Sequence, residues 1–309
     1  MIWAVTRGIS DSFEQCQLTH MARVPIDIER ARAQHAAYEW ALVELGCTVR
    51  RLDAPPDLPD AVFIEDTAVV FPEAAVIARP GAEARQRETP AVREALGRFG
   101  MPMRDVAEPA TLDGGDVLRI GRQVFIGSST RTNATAANQM RRFLRPLGYK
   151  VRVVPVEGCL HLKSAVTAVA PDTVLINRAW VPANAFAGLD IIDVDPDEPA
   201  GANALLAGDV LVYAASFPRT RARLEDKGLH VRVVARRDRD AGSDDARGPR
   251  DLRIVARRGR VGWVRAVAHG QVDRDRLFGR RDTDDGRAVL VEGDHRERSG
   301  EEYEGCPHF

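Results

Sequence analysis

Gly148-Tyr149-Lys150-Val151-Arg152-Val153-Val154 decides the fold, because it follows a helical pattern and the same grammar recurs along the chain. It returns as Gly46-Cys-Thr-Val-Arg-Arg-Leu52, Gly100-Met-Pro-Met-Arg-Asp-Val106, Gly188-Leu-Asp-Ile-Ile-Asp-Val194 and Gly228-Leu-His-Val-Arg-Val-Val234. The copies lie roughly 40 to 54 residues apart, near the spacing of repeat and propeller architectures. Each glycine suits the left-handed cap that ends a helix, and the β-branched residues after it suit a buried strand.

Working outward, residues 31–45, 89–98, 134–144 and 220–227 mix apolar and charged residues at helical spacing. Between them lie short strand candidates: Ala61-Val-Phe-Ile64, Ala68-Val-Val-Phe71, Ala75-Val-Ile-Ala78, Val124-Phe-Ile126 and Asp172-Thr-Val-Leu-Ile176. Gly115-Asp116-Val117-Leu118 is echoed by Gly208-Asp209-Val210-Leu211. The expected unit is therefore strand, strand, helix, strand, repeated five times around a ring with loops converging on its axis.

The 309 residues carry a net charge of −1, so no bulk field argues for nucleic acid or a membrane surface. The start, Met1-Ile2-Trp3-Ala4-Val5-Thr6-Arg7, has no basic run leading into an apolar core, and a cytoplasmic location is expected. Four scattered cysteines, Cys16, Cys47, Cys159 and Cys306, form neither a disulfide framework nor a metal-binding spacing. After Val234 the character changes: residues 235–309 hold 17 arginines and no lysine among Asp and Gly. The expected organisation is an α/β domain over 1–234 and a divergent, poorly ordered tail over 235–309.

Asp60-Ala-Val-Phe-Ile-Glu65-Asp66-Thr67 sets three carboxylates about an apolar run. Such acids either grip a guanidinium, whose planar fork matches carboxylate oxygens, or decorate a solvated turn. Leu112-Asp113-Gly114-Gly115-Asp116-Val117-Leu118 places acids about two flexible glycines, and Cys159-Leu160-His161-Leu162 sets a histidine between apolar neighbours. A Cys-x-His pair without two further ligands is a poor zinc site.

Taken together and in order, several motifs resemble the dimethylarginine dimethylaminohydrolase family, within the superfamily of arginine deiminases and amidinotransferases. They are Cys16-Gln-Leu-Thr-His20, the Asp60–Thr67 block, Arg79-Pro-Gly-Ala-Glu-Ala-Arg85, Leu112–Leu118, Ser129-Thr-Arg-Thr-Asn133 and Leu160-His-Leu-Lys-Ser164. The resemblance covers about residues 1–234. It implies a five-bladed α/β propeller, or pentein, of ββαβ repeats, here with its last repeat disrupted. It further implies His161 as general acid and base, with Asp113 orienting it. Asp60, Glu65 and Asp66 would bind the guanidinium and amine of the substrate, Arg85 and Arg131 its carboxylate, and Leu18 would lie on a lid loop. The implied reaction converts an N-omega-methylated arginine to citrulline and a methylamine through a covalent cysteine intermediate, with no cofactor and no metal. The partner is a small-molecule substrate rather than nucleic acid or membrane, and a homodimer is possible for the family.

One element of the resemblance is missing. The family carries its nucleophilic cysteine in a Gly-x-Thr-Cys-x-Ser type strand near residues 250–255, and no cysteine stands between Cys159 and Cys306. Codon choices exist for Asp238–Ser243 and Arg250–Val255 that, read one base later, give Thr-Glu-Met-Gln-Ala-Arg and Gly-Thr-Cys-Val-Ser. A change of reading frame after Val234 is thus one expectation. The rivals are an arginine deiminase or amidinotransferase of the same fold, and a catalytically dead protein that binds arginine analogues.

Overall fold

The computed structural model describes residues 2–19, 23 and 25–234. They form five small sheets arranged in chain order. In the first, β1 (Ile2–Arg7) runs parallel to β2 (Cys47–Leu52), and α1 (Ile28–Glu44) makes the crossover. The second joins β3 (Ala68–Val70) antiparallel to β4 (Ala75–Ile77), which passes through α2 (Thr89–Gly97) to the parallel strand β5 (Met103–Asp105). The third repeats this with β6 (Val117–Ile120), β7 (Gln123–Ser128), α3 (Ala134–Leu144) and β8 (Lys150–Pro155).

A four-residue helix, α4 (Leu162–Ala165), leads into the fourth sheet of β9 (Val166–Ala170), β10 (Thr173–Ile176) and β11 (Asp190–Asp193). There a 3-10 turn at Ala183–Phe186 takes the place of the crossover helix. The fifth sheet contains β12 (Leu205–Ala207), β13 (Val210–Ala214), α5 (Pro218–Asp226) and β14 (His230–Val234). The local signals are those the sequence carries. Asp27 and Asn133 cap α1 and α3 by accepting the amides of Arg30 and Ala136 at 2.9 and 3.0 Å. Gly46, Gly100, Gly148, Gly188 and Gly228 all have positive φ, which is why the repeat is punctuated by glycine.

β1 and the middle strand of each three-stranded sheet serve two cores at once. Successive side chains point to opposite faces, so Ala4 and Val5, Val76 and Ile77, Phe125 and Ile126, Leu175 and Ile176, and Val212 and Tyr213 divide between different clusters. Those clusters fill the gaps between the first and second, second and third, third and fourth, and fourth and fifth sheets. The remaining cluster joins the fifth sheet to the first, with Val212 and Val234 packed among Ala4, Tyr38 and Leu42. The ring therefore closes through its cores. This explains why the middle strands read as continuous apolar runs rather than alternating ones.

Some expectations change. Ala61-Val-Phe-Ile64 is not a strand: it leads into a 3-10 turn, Ile64–Thr67, held by the Thr67 hydroxyl donating to the Ile64 carbonyl at 2.6 Å. Glu65 and Asp66 are thus turn residues, and Cys159 and His161 also lie outside any strand. The echo of Gly115–Leu118 in Gly208–Leu211 is not an equivalence, since Val117 opens the first strand of its sheet and Val210 the second. The sheet of the last glycine-capped unit has all three strands. Among the described residues the first sheet has two strands. The tail and the expected nucleophile position, which follow Val234, lie outside the described residues.

Candidate active site

The second, third and fourth sheets are each entered by a short helical turn: Ile64–Thr67, Gly114–Asp116 and α4. The ring brings these turns together, and their side chains make the site. Their approach is so close that a Cβ at either of two glycines would force a neighbour to move. A Cβ on Gly114 would meet the Glu65 carbonyl oxygen at 2.0 Å, and one on Gly115 would meet Asp66 Oδ1 at 2.6 Å and His161 Nδ1 at 2.7 Å.

His161 sits at the centre, buried, with Nε2 3.0 Å from Asp113 Oδ2 and Nδ1 3.9 Å from Asp66 Oδ1. Burial alone would depress its pKa. The charge of Asp66, the hydrogen bond to Asp113 and the nearby Asp116 outweigh burial and push it up to about 9, so at neutral pH the ring is an imidazolium. For Asp66, burial works to raise the pKa, but His161, Arg85 and Lys163 hold it down at about 2. A cation flanked by carboxylates can deliver a proton to a leaving group and, once neutral, accept one from water.

The supporting contacts fix these groups. Asp113 accepts the Gly81 amide on Oδ1 at 2.8 Å and donates its own amide to the Thr132 hydroxyl at 3.1 Å. Asp66 Oδ1 accepts the Gly115 amide at 3.0 Å. Asp116, fully buried, accepts the Leu162 amide at 2.8 Å and the Ser129 hydroxyl at 2.6 Å, tying α4 and hence His161 in place. Burial raises the Asp116 pKa despite His161 and these donors. Glu65 pairs with the buried Lys163.

The two arginines occupy different surroundings. Arg131, half-buried, donates from Nη2 to Gln17 Oε1 at 3.0 Å and Thr19 Oγ1 at 3.4 Å, which joins it to the loop bearing the exposed Leu18. Asp60 anchors the same loop by accepting the Gln17 amide on both oxygens, at 3.0 and 3.3 Å. Burial raises the Asp60 pKa, while Arg85 and Arg131 oppose the rise. Arg85 is 4% exposed. It donates to both oxygens of Glu88 at 3.1 and 2.9 Å, to Asp66 Oδ2 at 2.7 Å, and to the carbonyls of Asp60 and Phe63 at 3.2 Å each. Expected as a carboxylate clamp, Arg85 is here enclosed by protein acceptors. The reason is local: the 3-10 turn Glu83–Glu88 folds Glu88 back onto the guanidinium.

Sequence reasoning missed Glu88, Asp116, Lys163 and Gln17 as parts of this network. Asp116 stands inside the quoted Leu112–Leu118 motif, but nothing in the spacing links Glu88 or Lys163 to it. The carboxylates of Asp66 and Asp113 and the His161 ring present ligand atoms within 4.8 Å of one another, which is metal-like spacing. The His161 imidazolium and the Arg85 guanidinium, which donates to Asp66 at 2.7 Å, already balance those two charges. The described cysteines are all buried: Cys16 and Cys47 in the core between the fifth and first sheets, and Cys159 in that between the third and fourth, its thiol donating to the His161 carbonyl at 3.4 Å. Burial, then Asp60, raises the Cys16 pKa, the opposite of what a nucleophile needs.

Comparison with known proteins bears on this geometry. A family profile described as arginine deiminase matches residues 48–205. The chain is 42% identical to an N(G),N(G)-dimethylarginine dimethylaminohydrolase of Streptomyces coelicolor, over 73% of this chain and 86% of that one. It is 35% identical to the enzyme of that name from Pseudomonas aeruginosa, over 66% and 81%. Among solved structures, a cysteine-to-serine mutant of the Pseudomonas aeruginosa enzyme complexed with citrulline superposes with a TM-score of 0.70 at 31% identity, covering 75% of this chain and 91% of that one. An amidinotransferase from Microseira wollei shares the fold, with a TM-score of 0.65 at 18% identity over 75% and 88% of the two chains.

Proposed function

Because the chain belongs to the dimethylarginine dimethylaminohydrolase family, hydrolases that act on guanidino C–N bonds, we propose that its axial site binds an N-omega-methylated arginine. The observation that carries the reading is the buried His161 ring set between Asp113 and Asp66.

In this reading Asp66 and Glu65 hold the guanidinium, and Asp60 takes the substrate amine while fixing the Gln17–Thr19 loop. Arg131 takes the carboxylate. Arg85 serves by holding Asp66 ionised and in place, with Glu88 behind it. Leu18 closes over the bound molecule. The chemistry is nucleophilic: a thiolate adds to the guanidinium carbon, and the C–N bond breaks as His161 gives its proton to the departing dimethylamine. Water then adds to the thiouronium carbon, losing a proton to His161, and the C–S bond breaks to leave citrulline and the thiolate. Fixed carboxylates about the guanidinium and a charged His161 serve that sequence without reorganisation.

The described residues supply the binding and proton-transfer groups, and none of their cysteines is placed as the nucleophile. The absence of any cysteine between Cys159 and Cys306 favours a second reading of the chain as written, in which it binds arginine analogues with little or no turnover. Calorimetry with asymmetric dimethylarginine and with arginine, alongside citrulline release, tests both readings. Tighter binding of the methylated ligand supports the family assignment. Preference for arginine points to deiminase-type or amidinotransferase specificity, and absence of binding to either sinks the proposal.

A further inference from the structure

The third unit of the ring, β6 to β8 with α3, is charged unlike the rest. Residues 117–156 carry seven arginines, one lysine and no acid, whereas acids outnumber cations both in 1–116 and in 157–234. Arg131 belongs to the site. Arg141, Arg142, Arg145, Lys150 and Arg152 stand exposed on the end of α3, the turn after it and β8, along which α3 packs. Among the described residues, none of these five forms an ion pair. The last strand of every other sheet does hold such a pair: Arg51 with Glu39, Asp105 with Arg93, Asp193 with Arg178, and Arg232 with Glu44. Like charges left together repel one another, and an acidic partner relieves that repulsion.

β8 is also an open edge. The amides of Lys150 and Val156 donate to the carbonyls of Arg122 and Ser128 at 2.9 and 3.2 Å. In a parallel pair alternate residues turn their backbone groups toward the partner strand, so Val151 and Val153 turn theirs away from β7, where no described strand pairs with them. Val153 is 41% exposed. We propose that β8 is a docking edge for an acidic polypeptide segment of another protein, which adds as a further strand and sets its carboxylates against Lys150, Arg152 and the arginines of α3. The outward carbonyls of Val151 and Val153 need N–H donors, which a peptide backbone offers at matching spacing and a phosphate chain lacks. No aromatic residue of this unit is exposed to stack on a base. Cations on an edge discourage a neutral strand and attract an acidic one. Lys150 pairs with Gln123 beside Ile120, at the end of the sheet away from the Gly114–Asp116 turn, so docking leaves the axial site open.

Fluorescence anisotropy of a labelled Glu-Val-Glu-Val-Glu-Val-Glu peptide with the full chain reads the docking, at about 0.15 M salt, where exposed charges are screened beyond about 8 Å. The expected result is saturable binding that Lys150→Glu combined with Arg152→Glu weakens by at least about tenfold, the scale of reversing close charges across an interface. N-methylation of alternate amides in the same peptide, which keeps its charge and removes its donors, abolishes the binding. Arg98→Glu, the same change of charge on an exposed residue of the second unit, leaves it unchanged. Circular dichroism confirms that the variants are folded, and the methylated peptide tests the proposal on the unaltered chain in either case. No binding, equal binding of the methylated peptide, equal loss in Arg98→Glu, or tighter binding of a single-stranded oligonucleotide or of phosphatidylserine vesicles overturns the proposal.

Discussion

His161 Nε2 lies 3.0 Å from Asp113 Oδ2, and the two residues belong to turns that lead into different sheets of the ring. Replacing Asp113 by Asn removes that charge-assisted bond. The His161 pKa, followed by NMR of its ring protons, should then drop from about 9 toward the ordinary histidine range. An unchanged titration would show that Asp66 and Asp116 set it without Asp113.

The same histidine makes stability depend on pH in a defined window. Its pKa is raised in the folded chain above the unfolded value of 6.5, so its contribution is complete below about pH 6.5 and is lost as the pH climbs through about 9. Asp66 behaves in the opposite sense. Held at about 2 against 3.8, it contributes above pH 3.8 and loses that contribution as the pH falls through about 2. Urea midpoints measured from pH 6 to 10 should decline across the upper window, and His161→Gln should flatten that decline.

Arg85 and Arg131 should separate cleanly when removed. Arg85→Ala strands the buried Glu88 and Asp66 and should cost about 3–5 kcal/mol of stability in chemical denaturation. Arg131→Ala should leave the denaturation midpoint nearly unchanged yet weaken dimethylarginine binding by about 1.5–3 kcal/mol, the worth of a charged hydrogen bond. Equal stability losses in the two variants would contradict this division.

Gly114→Ala drives a Cβ into the Glu65 carbonyl, a backbone atom that cannot rotate away. The expected loss is at least about 1–3 kcal/mol. Gly115→Ala meets side chains instead, so its larger effect should fall on ligand affinity, measured by calorimetry beside thermal melting.

The nucleotide sequence across codons 230–256 tests the change of frame. A one-base shift there should read Gly-Thr-Cys-Val-Ser over the codons of Arg250–Val255, and the chain expressed in that frame should release citrulline from dimethylarginine. If no single-base shift yields that cysteine motif, the chain as written is the native product and the binding reading stands.

Much of the fold was legible because its cause is local. The glycines at 46, 100, 148, 188 and 228 mark the ends of the helices, and in one unit of a 3-10 turn, by needing positive φ, and the apolar runs between them mark strands, so the repeat shows in the residues alone. The site was legible more unevenly. His161, Asp113 and Asp66 were found through their motifs, whereas Glu88 matters through the guanidinium folded onto it in its own turn and Lys163 through what it touches across the ring. Lys163 pairs with Glu65, 98 positions away in the chain, and no periodicity encodes such a contact.

By itself, then, the sequence determined the number of units, their order and the kinds of residue that reach the axis, since these follow from backbone preference and side-chain alternation. Only the tertiary structure decided which neighbours those residues would have. Closing the ring buries Arg85 among Glu88, Asp66 and two carbonyls, leaves Arg131 beside the Gln17–Thr19 loop, and sets His161 between two carboxylates that convert a neutral ring into a cation. Charge state and accessibility come from burial and proximity, which exist only once the five sheets are packed together.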